Sequence, residues 1–250
     1  MKIIKKVNIN ITTYFFIFLL LYSGYKYMLF SLYIVFFIHE FGHVFFCHLF
    51  KIKISSIDIF LYGGIIKLKK MYNNPIYQDF FISFGGVLFQ ILFEFINLFF
   101  IKSSLISFYN RKFIFFNILP IIPFDGSKTL FCFISKCIPY FYALKASFLL
   151  SFLCTFYMII YMIFLGKLNI LFILFVLYYT FIEIKHFNYV LNQFYLERYL
   201  YDFSNKKHKY YDFVNVNYIK RENYCFFFDN YYISERKLLA KKFDNSSHIW

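Results

Sequence analysis

The sequence predicts an all-α polytopic membrane protein of about six transmembrane helices, with a short interfacial β-hairpin and a small cytoplasmic C-terminal tail domain. Three observations carry this. Hydrophobic residues make up 61% of the 250-residue chain and charged residues only 16%, against roughly half and a quarter in an average soluble domain. The mean hydropathy is +0.58, and the apolar residues fall in runs of about 20, the length a helix needs to cross a bilayer core. The third observation is where the charge sits. The net charge of +14 could suggest nucleic acid, but the lysines lie between apolar runs and in the last quarter of the chain, as flanks of membrane spans do. No direct nucleic-acid partner is expected, and the lipid bilayer is.

The elements follow in order. Lys2, Lys5 and Lys6 precede an apolar run with no small-x-small cleavage site after it, so a first span is expected at about 9–25. Further spans are expected at about 27–50, 77–101, 113–135, 144–165 and 168–185. The fourth is interrupted by Pro120, Pro123 and Gly126, which leaves open four or five spans with a re-entrant piece. Between the second and third spans, β-branched and aromatic residues flank Gly63-Gly64, a hairpin signal. The membrane domain is expected over 1–187 and a basic, aromatic tail over 188–250, with Ser234 opening a helical run from Glu235 to Phe243. The five cysteines, Cys47, Cys132, Cys137, Cys154 and Cys225, show no C-x-x-C spacing and read as buried thiols.

Lys and Arg placement orients the chain. An inside N-terminus puts Lys51 to Lys70, Lys136, Lys145 and the tail in the cytoplasm, and leaves Lys26, Lys102, Arg111, Lys112 and Lys167 outside. Both termini are then cytoplasmic.

Chemistry enters in the second span, with His39-Glu40-Phe41-Gly42-His43, an H-E-x-x-H motif. Four residues on a helix turn about 40° and rise about 6 Å, so both imidazoles leave one face. Two neutral imidazoles at that spacing suit tetrahedral zinc, and Glu40 lies near enough to take a proton from water there. The motif arises by chance in a chain of this composition roughly three times in a thousand. Three such groups at mid-membrane also cost about 2.5–3.5 kcal/mol each. His48 turns off that face and marks the interface, as Lys51 does.

Zinc held by two histidines needs a third protein ligand. Acidic residues within the expected spans are Glu40, Glu94, Asp125 and Glu183, with Asp79 near an entrance. Asp125 follows Asn117-Ile-Leu-Pro120-Ile-Ile-Pro123-Phe, where two prolines remove backbone donors and the helix should break. Such breaks are tolerated at membrane depth only against protein or a wet cavity. At 1.5 Å per residue the histidines and Asp125 stand at matching depths. Glu94 and Glu183 are the alternatives.

H-E-x-x-H in a membrane helix, followed about 80 residues later by Asn-x-x-Pro-x-x-Pro-x-Asp-Gly, resembles the site-2 protease family of intramembrane zinc metalloproteases, in its short sporulation-type form with a basic tail and no PDZ domain. The likeness covers 10–200 and takes in Tyr62-Gly63-Gly64 and Ser83-Phe84-Gly85-Gly86. It implies His39, His43 and Asp125 as ligands of one Zn2+, Glu40 as catalytic acid/base, and Asn117 within the motif around the substrate. Val87 stands where the family commonly has proline, and Ser127-Lys128 where it commonly has Gly-Arg; neither is a proposed ligand. The likeness further implies a membrane-associated protein substrate, the sigma factor precursor pro-sigma-K, with membrane regulatory inhibitor proteins, in the mother-cell membrane of a sporulating bacterium. A housekeeping relative that cuts anti-sigma factors or signal-peptide remnants is the alternative.

Other readings stand beside this one. Another membrane zinc protease would take a glutamate as third ligand, and a non-proteolytic transporter would use the same His/Glu/Asp cluster to bind metal ions or relay protons. The Gly63-Gly64 hairpin either offers an edge strand to an extended substrate or is an ordinary interfacial loop. Gly85-Gly86 permits close helix approach, with Ser83 and Gln90 serving the same packing. Lys206, Lys207, Lys209, Lys220 and Arg221 either dock substrate or form a solvated basic face.

Overall fold

The computed structural model describes residues 7–9, 24–60, 63–68, 72–166 and 170–244, with single positions at 14, 18 and 22. The first span expected at 9–25 falls almost wholly outside them. The chain divides into two compact units, Met1–Lys70 with Phe80–Leu119, and Met71–Asp79 with Pro120–Trp250.

In the first unit, α1 (Lys26–Leu49) carries the H-E-x-x-H motif. It ends where Lys51 takes a left-handed φ of 57°. The Ile52 and Lys51 amides return to the Cys47 and His48 carbonyls at 2.9 and 3.0 Å, a Schellman closure that satisfies the last turn. The expected hairpin forms as β2 (Ile54–Phe60) and β3 (Gly63–Leu68), antiparallel, with Gly64 opposite Ile59. It gains a parallel third strand, β1 (Val7–Ile9), in the order β1-β2-β3. The pattern that suggested only a hairpin is therefore part of a sheet, and β3 is one of its edges.

Helix α2 (Ile76–Ile96) continues into a π-turn, Asn97–Ile101. Buried Asn97 holds the reversal, donating to the Ser103 carbonyl at 3.0 Å and Ser107 Oγ at 2.7 Å. Ser103 then caps α3 (Ser104–Ile118) by accepting from the Ile106 amide. Lys112, expected in an outer loop, and Arg111 beside it are thus helical, because a serine cap restarts the helix at once. Phe46, Cys47 and Ile82 form the buried cluster between α1 and α2.

Where the chain enters the second unit at Pro120, the interruption expected in the span at 113–135 is present. Residues 119–124 break it, and α4 (Asp125–Cys137) begins only afterwards. Pro120 and Pro123 account for the break, and the Ile122 amide donates to Ser151 Oγ at 2.9 Å, tying the irregular segment to α5 (Tyr140–Phe164). Gly126, expected to permit unwinding, lies inside α4 instead. Helix α6 (Ile170–Leu200) runs on beyond the sixth expected span. The tail folds as β4 (Lys207–Tyr211), β5 (Asn223–Asp229) and β6 (Tyr231–Ser234), with β4 parallel and β6 antiparallel to β5, followed by α7 (Glu235–Asp244). The fold is mostly helical rather than all-α, with two small sheets.

The core of this unit joins the tail to the helices: Tyr140 stacks on Phe194 at 3.8 Å between centroids, within a cluster that includes Ile219, Phe227 and Leu239. Arg198, at the end of α6, is fully buried there.

Three helices among the described residues are long and apolar enough to cross a membrane: Lys26–Leu49, Ile76–Ile101 and Tyr140–Phe164. Their outward faces are apolar, as in Leu149, Phe152, Phe156 and Ile160 of α5, which suits lipid and not water. The cysteines divide. Cys47, Cys132 and Cys225 are buried as expected, but Cys154 is half-buried and Cys137 exposed, the latter because it is the last residue of α4 and the chain turns away at Pro139.

Candidate metal centre

His39 and His43 share the face of α1 that their spacing requires, with ring centroids 4.7 Å apart and planes at 85°. Their Nε2 atoms approach to 3.1 Å. The outer nitrogen of each ring has a partner on α2. His43 Nδ1 lies 2.6 Å from the Ile82 carbonyl oxygen. A carbonyl only accepts, so that nitrogen carries the proton and Nε2 carries a lone pair. His39 Nδ1 lies 3.1 Å from Gln90 Oε1, and with the amide so turned the same follows. With both rings protonated at Nδ1, the two Nε2 atoms converge at 3.1 Å with lone pairs available to one divalent cation. The donor set therefore fits zinc.

Glycines make the room. A Cβ on Gly86 would lie 2.4 Å from His39 Cε1 and 2.7 Å from His43 Nε2, and one on Gly42 would lie 2.3 Å from the Gly85 carbonyl oxygen. The expected close approach is thus present, with Gly42 and Gly85 in backbone contact. Gly86 adds something the sequence did not show: it clears the volume that both imidazoles occupy. Phe113 of α3 meets the His39 ring edge-on, centroids 6.3 Å apart. Glu40 is half-buried and lines an apolar groove of about 700 Å3 with Phe36, Phe41, Phe89 and Ile96. His48 is exposed at the end of α1, as its position off the motif face predicts.

The other candidates separate by surroundings. Asp125 is buried, 6% exposed; it lies in the second unit, opens α4, and its Oδ1 accepts from Lys128 Nζ at 2.8 Å. Glu94 is engaged in the first unit, its two oxygens accepting from Asn110 Nδ2 and Arg111 Nε, each at 2.8 Å. Glu183 is exposed on α6. Asp79 accepts from Arg221. Asn117, half-buried, is the penultimate residue of α3, and Gly63 and Gly64 open β3. Sequence reasoning missed Gln90 as a histidine partner. A glutamine in an apolar helix was the available signal, and it reads equally well as packing.

A family model described as peptidase family M50 matches residues 27–106, a stretch that holds His39, Glu40, His43, Gly63, Gly64 and Gln90 and stops short of Asn117 and Asp125. Stage IV sporulation protein FB of Bacillus subtilis (strain 168) is 28% identical over 148 residues, 56% of this chain and 51% of that protein. The chain thus spans about half the length of that curated relative. Among solved structures, the site-2 protease from Methanocaldococcus jannaschii is similar with a TM-score of 0.50 at 24% identity, covering 72% of this chain and 90% of that one, a likeness of fold. The chain is thus similar to peptidase family M50 over residues 27–106 and to that site-2 protease in fold over 72% of its length.

Proposed function

We propose that the chain is an intramembrane zinc metalloprotease that hydrolyses a peptide bond in a membrane-associated protein. The observation that carries the reading is the pair of imidazoles converging at 3.1 Å on an apolar helix, with Glu40 between them in sequence. His39 and His43 bind the metal through Nε2, and the buried carboxylate of Asp125 is the third ligand. Zn2+ so held supplies Lewis-acid activation of water and polarisation of the scissile carbonyl. Glu40 takes the proton from the attacking water and returns it to the leaving amine nitrogen. A helical substrate hides its peptide bonds in i to i−4 hydrogen bonds, so it must be unwound. The β3 edge, opened by Gly63 and Gly64, would hold the extended segment by strand addition, and Asn117 would meet substrate near the broken helix.

The likeness to the sporulation protein and the basic tail support a narrower reading: processing of the sigma factor precursor pro-sigma-K, under membrane regulatory inhibitors, in a multi-pass protein with both termini cytoplasmic. The test is co-expression with tagged pro-sigma-K. The native chain is expected to shorten the precursor and Glu40→Gln to leave it intact. Equal processing by both would sink the assignment. Asp125→Ala is expected to lose zinc and Glu183→Ala to keep it, which separates the two choices of third ligand.

A further inference from the structure

We infer that Gln90 and Asn110 are positioning residues, a buried amide relay that sets the direction in which His39 offers its ligating nitrogen. The inference rests on the metalloprotease reading and deepens it. Both residues are 0% exposed, in helices otherwise rich in Leu, Ile and Phe. The relay is anchored at its far end by Arg111, whose Nε donates to Glu94 Oε1 at 2.8 Å. Asn110 Nδ2 donates to Glu94 Oε2 at 2.8 Å and to the Gln90 carbonyl at 3.0 Å. It therefore grips α2 at two points one turn apart, and so fixes the register of α2 on α3. From the same turn, Gln90 Oε1 reaches His39 Nδ1 at 3.1 Å. Donor and acceptor roles run in one direction: an Nδ1–H on His39 leaves Nε2 facing His43 with its lone pair.

Helix adhesion alone accounts poorly for these amides. Gln90 Nε2 and Asn110 Oδ1 are buried without a hydrogen-bond partner among the described residues, so each side chain keeps a polar atom unsatisfied there where a leucine would have none. The bonds that are made run toward His39 or hold the residue that does so. An adhesive role would lower stability when removed and leave the metal affinity of the folded chain unchanged. A positioning role moves the affinity itself.

The experiment measures zinc affinity of the purified full-length chain in nanodiscs by chelator competition, with thermal unfolding of each zinc-free variant to show that it is folded. Gln90→Leu is expected to bind zinc about 10–100-fold more weakly. Gln90→Glu, which keeps an acceptor for Nδ1–H, is expected to stay close to native, and Asn110→Leu to fall between. Histidine 15N resonances of the folded chain are expected to show the Nδ1–H tautomer at His39 in the native protein and to lose it in Gln90→Leu. Native affinity in Gln90→Leu, or equal loss in Gln90→Leu and Gln90→Glu, overturns the relay while leaving the metal site standing. A native chain that binds no zinc overturns both.

Discussion

Each unit buries a polar cluster in an apolar surround, and the two are built on opposite terms. In the second unit, the five N–H groups of Arg198 meet five acceptors at 2.6–2.7 Å: Asn73 Oδ1, Glu235 Oε1 and the carbonyls of Asn223, Lys220 and Arg221. That guanidinium is saturated by protein. In the first unit, two imidazole nitrogens point at each other, and Gln90 Nε2 and Asn110 Oδ1 lack partners among the described residues. A closed network has no valence left for a ligand and serves as a staple. A pair of imidazoles that converge through Nε2 on one point is organised as ligands are.

The contrast is broken most severely at the staple. Arg198→Met strands Glu235, 0% exposed, and Asn73 without their donor. Breaking a buried pair on one side costs about 3–5 kcal/mol. The tail is expected to lose protection from limited proteolysis and the unfolding midpoint to fall, whereas a midpoint at the native value would deny Arg198 this role. Gly86→Ala is the corresponding insult to the first unit. Its Cβ would fall 2.4 Å from His39 Cε1, overpacking worth about 1–3 kcal/mol. Zinc affinity is expected to drop together with proteolysis, and both unchanged would mean the rings do not need that volume.

How far the sequence foretold this contrast depends on whether spacing or long-range pairing carried the signal. His39 and His43 were legible because a helix converts a four-residue interval into a shared face, and Asp125 stood out because prolines at 120 and 123 leave a broken helix at membrane depth. The break in the fourth expected span was legible from the same prolines, but its extent, with α4 starting only at Asp125, was not, because hydropathy continues across it. Gln90 and Arg198 carry no such interval: their partners lie far along the chain, and one glutamine or arginine in an apolar helix has many meanings. The tail sheet was hidden for a related reason, since β4 pairs in parallel with β5 across an intervening segment that no turn signal announces.

Smaller effects sharpen the picture around the staple. Burial, and then the charge of Arg198, hold Lys206 down at about 8 from its ordinary 10.5. The folded chain therefore binds fewer protons than the unfolded chain between those values, so stability rises with pH through that window. Lys206→Met is expected to flatten that part of the stability–pH curve; an unchanged slope would place its origin elsewhere. Burial likewise pushes the Cys225 thiol up to about 12, whereas Cys137 is exposed. Brief alkylation of the native protein at pH 8 is expected to label Cys137 and spare Cys225, as read by mass spectrometry. Early labelling of Cys225 would show the staple opening.

The convergent cluster is tested most directly by the zinc content of the purified native chain beside Glu40→Gln and His39→Ala. One zinc per chain is expected in the native protein and in Glu40→Gln, because Glu40 acts on water and is not a ligand, and none in His39→Ala. A native chain without zinc, or a His39→Ala chain that retains it, would contradict the claim that the imidazole pair holds the metal.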